Sequence, residues 1–440
     1  GVSNLRFELN SASINSEHLS EIVNSNHKDN SIPYKDFSFH ISAKKYLSPT
    51  DSLSKEEKIL GVVKIWTIVK YFYPYPDQIT GNWEKSLEKY LVLSQNTSSD
   101  KEYYMLIQEM MATLNDSHVS TFHPSILDFS EIFVAPVQFD WIEDMVIITA
   151  IDTAIKADIN IGDEITAIND LTISEILIKE SKKISSSNRQ GLLATVINPG
   201  YFVGAPESKI KFEIKNNGKL KTVEIPRTKS IFQFMGYGDN RQASAILDDE
   251  IGYLNLAALT HKADLERELI KMNQTKSLIL DLRNSYPAAD YKEFLQMLCQ
   301  STVITRKSEV PIITVSHARI CQYNESTLSP VSSFSYKNPI AVLIDKTMIS
   351  RPEDIAIALK SFPNVIFVGE QTQGTDGEMT KISLPGGGET TFTGQIVKFG
   401  NGDEFQRTGI IPDIKVQRTI HGIKNSKDEI LEKAIEVLNK

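Results

Sequence analysis

Between residues 54 and 114 apolar positions recur at helical spacing. Ile59, Val62, Val63, Ile65, Trp66, Ile68, Val69 and Phe72 make one strongly apolar helix, which Tyr73-Pro74-Tyr75-Pro76 ends. The pattern continues through Trp83–Leu93 and Lys101–Leu114, and the aromatic group Trp66, Tyr71, Phe72 and Tyr73 is assigned to the core. Residues 132–228 are strand-rich instead. Val134–Phe139, Met145–Ala150, Glu164–Ile168, Lys209–Ile214 and Leu220–Ile225 read as strands, Ala154–Ile159 and Glu175–Ile184 as helices, and Asn216-Asn217-Gly218 as a hairpin turn. From 250 to 424 strand and helix alternate: strands Ile251–Leu256, Ser277–Leu282 and Val365–Val368, helices Asp264–Met272 and Tyr291–Cys299, a hairpin region around Pro385–Gly388, and a closing helix Lys427–Leu438. Repeating βα units imply a parallel sheet with right-handed crossovers.

The stretch Asn338–Leu359 stands at the centre of that pattern. Pro339–Asp345 is a short apolar run with the character of a buried strand, and Arg351–Leu359 opens with Pro and acids, as a first helical turn does. Ser350 lies between them. A strand-to-helix turn exposes a side chain at the carboxyl edge of a sheet, beside backbone N–H groups, where a serine nucleophile gains oxyanion donors. Ser350-Arg351-Pro352-Glu353 also spells a capping box, so a plain N-cap is the competing reading. His118 follows a helix end in Leu114-Asn115-Asp116-Ser117-His118, where it is either a solvated turn residue or a general base.

Composition narrows the class. The chain has 440 residues, 41% apolar and 23% charged, which suits large cores, and a net charge of −9 with no basic stripe, which argues against nucleic acid as partner. No apolar run approaches membrane-spanning length. Cys299 and Cys321 fit one disulfide or two thiols. No zinc spacing, GxGxxG, phosphate-cradling loop or HExxH is present, and no metal or cofactor is expected. Residues 1–50 are polar and weakly periodic, and are expected to be a leader or the remnant of an upstream domain.

Several of these stretches together resemble the tail-specific (C-terminal-processing) serine peptidases, in particular the tricorn-core-like branch. Leu114–His118 is similar to that family's L-x-D-x-H turn, and Asn160-Ile161-Gly162-Asp163-Glu164-Ile165 with Ile168-Asn169 to a PDZ signature. Leu278–Asn284 is similar to its D-L-R-N strand end, Asp345–Glu353 to its nucleophile segment, and Gly409–Asp413 to its closing G-x-x-P-D. The resemblance spans roughly residues 55–440 and implies an α/β (α+β multidomain) fold: an N-terminal helical domain (51–130), a PDZ-like small β-barrel (131–228) and a mixed or parallel-sheet ββα-type peptidase core (229–440). It implies a serine endopeptidase in which Ser350 attacks a peptide carbonyl, His118 is the base and the N–H groups of Arg351 and Ala288 bind the oxyanion.

The departures are specific. The lysine of a Ser–Lys dyad is missing from Gly374-Thr375-Asp376-Gly377, and the nearby Lys381 reads as an ordinary strand residue. The acid that would orient His118 falls at Gln406 or at Glu404, two residues away on one strand face. The Gly-Gly of the oxyanion loop is replaced in Asn284–Ala289. A non-catalytic peptide-binding protein on the same scaffold is therefore the alternative. A lipase would need G-x-S-x-G, which Thr347–Arg351 is not. The implied partner is a peptide or unfolded protein. It would be added as an extra strand between Met145–Ala150 and the helix at Glu175–Ile184. The implied setting is bacterial, periplasmic or extracellular, and the oligomeric state is left open.

Overall fold

The computed structural model describes residues 52–127, 131–216, 218–234, 241–284, 291–313, 319–331 and 334–440. The segment expected to be a leader, 1–50, lies outside the described residues, as does Ala288.

Helix α1 (Lys55–Phe72) starts at a complete capping box, in which Ser54 and Glu57 each satisfy the other's backbone N–H. With α2 (Trp83–Gln95) and α3 (Asp100–Ala112) it encloses a core rich in tyrosine, including the fully buried Tyr73, Tyr103 and Tyr104. Of the aromatic group assigned to the core, Tyr73 is buried and Trp66 and Phe72 half-buried, but Tyr71 is 37% exposed. The Tyr73 hydroxyl donates to Leu114 C=O at 2.9 Å and so pins the turn that leads to His118.

The strand-rich unit is an open sheet. Strands β1 (Val137–Ile142), β2 (Met145–Ile151), β3 (Glu164–Ile168), β4 (Lys209–Asn216) and β5 (Lys219–Pro226) follow the order β1-β2-β3-β4-β5, and among the described residues no pairing closes β1 onto β5. The expected barrel is thus a sheet, covered by α4 (Ile173–Glu180) and α5 (Arg189–Val196). No helix forms at 154–159. The Asp152 carboxylate accepts from Ala154 N–H and its carbonyl from Ile155 N–H, a local turn that competes with helix. Strand β2 is paired on both sides, so the free edge is β1, and the helix beside it is α5, not the one expected at 175–184.

The remaining chain is built on one six-stranded sheet. It comprises β6 (Ser244–Leu247), β7 (Ile251–Asn255), β8 (Ser277–Asp281), β11 (Ile340–Ile344), β12 (Val365–Gly369) and β16 (Ile414–Lys415) in the order β6-β7-β8-β11-β12-β16, parallel except for β6. Every residue of β7, β8 and β11 is buried, as expected for strands covered on both faces. Leu278, Leu280, Ile340 and Val342 pack on α6 (Lys262–Lys271), α7 (Lys292–Leu298) and α8 (Arg351–Leu359). Ile279, Ala341 and Leu343 pack on α9 (Glu429–Leu438) on the other face. Two smaller sheets flank it. A long hairpin, β9 (Val303–Ile313) and β10 (Arg319–Leu328), takes β15 (Ile396–Phe399) on its inner side, and β13 (Met379–Ser383) pairs with β14 (Glu389–Thr393) and, beyond it, Thr121–Phe122. Ile382, Leu384 and Phe392 enter the helical unit's core, so the two ends of the described chain share one interior. Cys299 is buried and Cys321 exposed, both as free thiols. Among the described residues no helix is long and apolar enough to cross a membrane.

Candidate active site

Parallel strands β8, β11 and β12 are neighbours, and the candidate residues cluster just beyond their carboxyl ends, the usual ligand edge of an open α/β sheet. Gly369 closes β12 at φ +132°, and a Cβ there would lie 2.0 Å from the carbonyl oxygen of Ile344, so only glycine lets the two strand ends run this close.

Ser350 stands at φ +64° and ψ −124°, a region that disfavours any residue with a Cβ. Its side chain makes no cap to α8, which corrects the capping-box reading. The Glu353 carboxylate feels the backbone N–H of Ser350 as well as the loop after β12. It points inward and accepts from Gly374 N–H (2.8 Å), Thr375 N–H (3.0 Å) and the Thr372 hydroxyl. The Ser350 N–H in turn donates to Thr375 C=O at 2.8 Å. Arg351 is the first residue of α8, directly after Ser350.

His118 is buried, and the tautomer of its ring follows from its partners. The Asp116 carboxylate can only accept, and it takes the Thr393 hydroxyl (2.8 Å), Thr393 N–H (2.7 Å) and His118 N–H (3.0 Å). The Thr393 oxygen, having donated to Asp116, accepts from His118 Nδ1–H at 3.0 Å. Nε2 is left with its lone pair, buried and without a hydrogen-bond partner among the described residues. Burial pushes the imidazole pKa below its ordinary 6.5, with the Asp116 charge opposing, so the ring is neutral at physiological pH.

Neither expected orienting residue touches Nδ1. Glu404 forms an isolated antiparallel β-bridge with Lys398, is exposed, and its carboxylate pairs with the Lys398 ammonium at 2.9 Å. Gln406 is buried, donates weakly to the Ser187 hydroxyl at 3.5 Å, and its Oε1 has no partner among the described residues. Lys381 is on β13, paired with Glu389. The contact sequence reasoning missed is Thr393. The Asp two places before His118 was a local signal, but nothing local marks a threonine 275 residues away.

Ser350 and His118 make no direct hydrogen bond among the described residues; they are joined through the strand-rich unit. The Thr375 hydroxyl bonds the Ser187 hydroxyl, which accepts from Ser117 N–H at 3.1 Å, and Ser187 N–H donates to the Ser117 hydroxyl at 2.9 Å. Ser185 accepts from Asp116 N–H (2.8 Å), and Asn188 donates to Thr372 C=O (2.9 Å).

A cleft of about 600 Å³ opens between β1, α5 and the carboxyl edge of the large sheet. Gln138, Asp140, Asn284, Lys346 and Thr347 are among its walls, which include neither Ser350 nor His118. Lys346 bridges the two units, with its ammonium 3.1 Å from Asp140 of β1 and 3.7 Å from Glu370 after β12.

Residues 250–416 match the sequence profile of peptidase family S41. The fold is similar to that of mature CPAF complexed with lactacystin, at TM-score 0.68 and 13% sequence identity over 87% of this chain and 98% of that one. A putative peptidase from Parabacteroides merdae is similar at TM-score 0.54 and 16% identity, over 88% of this chain and 97% of that one. At these identities the likeness establishes a shared mixed α/β fold.

Proposed function

The chain is a serine peptidase of the tail-specific S41 family, and on that premise we propose that Ser350 is its nucleophile and His118 its general base. The observation that carries the reading is the Ser350 backbone: a strained strand-to-helix turn holding a hydroxyl that caps nothing. Ser350 Oγ attacks the scissile carbonyl carbon and passes its proton to His118 Nε2. The oxyanion is met by the N–H groups of Arg351 and Ala288. The C–N bond breaks as His118 returns the proton to the leaving amine, and water, deprotonated by His118, releases the acyl group. Thr393 holds the tautomer, with Asp116 behind it, in place of a carboxylate bonded directly to the ring. Labelling with a fluorophosphonate and peptide mapping tests the assignment. Modification at Ser350 is expected; hydrolytically competent protein labelled elsewhere, or not at all, overturns it.

The same reading fixes a pH dependence. Only neutral imidazole accepts the proton, and burial lowers its pKa, so activity rises with pH through a midpoint below 6.5. His118→Gln removes that limb and lowers kcat roughly 10²- to 10⁴-fold. Thr393→Val removes the acceptor of Nδ1–H, so the ring proton can sit on Nε2 instead, and lowers kcat by about tenfold or more, whereas Glu404→Gln changes little. Equal losses in the last two variants would return the orienting role to Glu404.

The strand-rich unit is proposed to act as a PDZ-like domain that adds an extended peptide to the free edge of β1, in the groove to α5 and the cleft beyond. Trp141 on β1 lies under the Arg189 guanidinium of α5, 5.9 Å from it, and is a built-in reporter. Titrating the full chain carrying Ser350→Ala with unfolded peptides should give a saturable change in fluorescence, absent in a Trp141→Phe control. No change with free or amidated C-termini would leave the unit a spacer. A bacterial periplasmic or extracellular setting belongs to the same proposal, and cell fractionation tests it.

A further inference from the structure

Glu353 is fully buried and lies one helical turn beyond Ser350. Three of its donors, Thr372 O–H, Gly374 N–H and Thr375 N–H, are uncharged and belong to the loop after β12, and the Ser350 N–H also favours the ionised carboxylate. That loop touches every part of the site. Thr375 C=O accepts Ser350 N–H, Gly374 C=O accepts Arg407 N–H next to Gln406 at 2.7 Å, and the Thr375 hydroxyl bonds Ser187, which holds the His118 turn. We propose that Glu353 is a positioning residue whose ionised carboxylate holds the 372–375 loop in the shape that aims Ser350, an inference that rests on Ser350 being the nucleophile.

The chemistry of a carboxyl gives the reason. Ionised, it accepts at both oxygens; protonated, it becomes a donor at one of them, facing N–H and O–H groups that also donate. The loop then loses a contact, and the Ser350 turn loses its template. Burial raises the Glu353 pKa to about 7 in spite of hydrogen bonds from Thr372, Thr375, Gly374 and Ser350, so this change falls in the neutral range. The charged groups packed around it come from three elements. Asp376 on the same loop is itself pushed up by burial and then by Asp354; Asp354 is the next residue of α8; and Arg306 of β9 pairs with Asp354 at 2.7 Å and Asp376 at 3.5 Å. The Tyr291 hydroxyl completes the group by donating to Asp354.

The test is the rate at which a fluorophosphonate phosphonylates Ser350, with fluoride leaving, against pH in the full chain. Two rising limbs are expected in the wild type, a lower one from His118 and an upper one near pH 7 from Glu353. Glu353→Gln should keep the lower limb, lose the upper one and react about 10- to 100-fold more slowly at pH 8. Thr372→Val deletes one donor to the ionised form and should move the upper midpoint up by roughly one pH unit; it decides the matter if Glu353→Gln fails to fold. Normal labelling with an unchanged profile in whichever of the two variants folds overturns this inference alone. Wild type that is never labelled at Ser350 removes the nucleophile assignment, and this inference with it.

Discussion

Ser350→Ala is expected to lower peptide hydrolysis roughly 10⁴- to 10⁶-fold, as loss of a serine nucleophile does, while leaving the fold intact. The second half of that statement is what separates the nucleophile from a cap. Removing a true serine N-cap costs about 0.5–2 kcal/mol. Here the hydroxyl caps nothing, so unfolding in urea should change by less than about 0.5 kcal/mol. Ser350→Gly should be as inactive but more stable than wild type by about 1 kcal/mol, because glycine tolerates φ +64°. A folded Ser350→Ala protein with undiminished hydrolysis would remove the mechanism.

The largest stability effect is expected at Asp281, at the end of β8. Its side chain is fully buried, and it receives Arg283 through Nε (2.9 Å) and Nη2 (2.7 Å), Arg241 (2.8 Å) and the Tyr253 hydroxyl (2.8 Å). Burial alone would raise its pKa, but the Arg283 guanidinium foremost, then Arg241 and Tyr253, hold it below the ordinary carboxylate range. Asp281→Ala leaves two guanidinium groups without this partner and should cost about 3–5 kcal/mol. Since the folded pKa is depressed, the contribution is present above the unfolded value and is lost as pH falls through the folded one, in strongly acidic solution. Arg283 leads directly into Asn284, whose N–H donates to Thr347 beside the nucleophile turn, so activity should fall with stability. A denaturant midpoint within error of wild type would show that the strand end is held by something else.

The large sheet was legible because parallel strands covered on both faces are written as unbroken apolar runs, and Ser277–Asp281, Ile340–Ile344 and Val365–Gly369 are such runs. Helix Arg351–Leu359 was read to the residue from its Pro and acids. The β9–β10 hairpin was not legible. Gln322, Tyr323, Asn324 and Glu325 are all exposed, so neither face carries an apolar signal. The pairing of Glu404 with Gln406 on one face assumed a strand, but the segment turns, sending one side chain to Lys398 and burying the other. Glu353 was read as a local helix-start partner, and only the fold shows it reaching a loop some twenty residues on. The orienting pair Asp116 and Thr393 needed the two ends of the described chain to meet, which no local window contains.

The segment 185–188 belongs to the strand-rich unit, yet Ser185, Ser187 and Asn188 hold the turns that carry His118, Thr375 and Thr372. The unit is therefore not a detachable module. A deletion of 132–228 removes the hydrogen bonds to the His118 turn and the 372–375 loop together with the proposed peptide groove, so short substrates are expected to be spared no more than long ones. A chimera that imports the equivalent unit from a relative keeps its activity only if Ser185, Ser187 and Asn188 stay behind as part of the host. Substitutions along the proposed recognition edge of β1 should therefore be tolerated by the core, whereas substitutions at 185–188 of the same unit should disturb it.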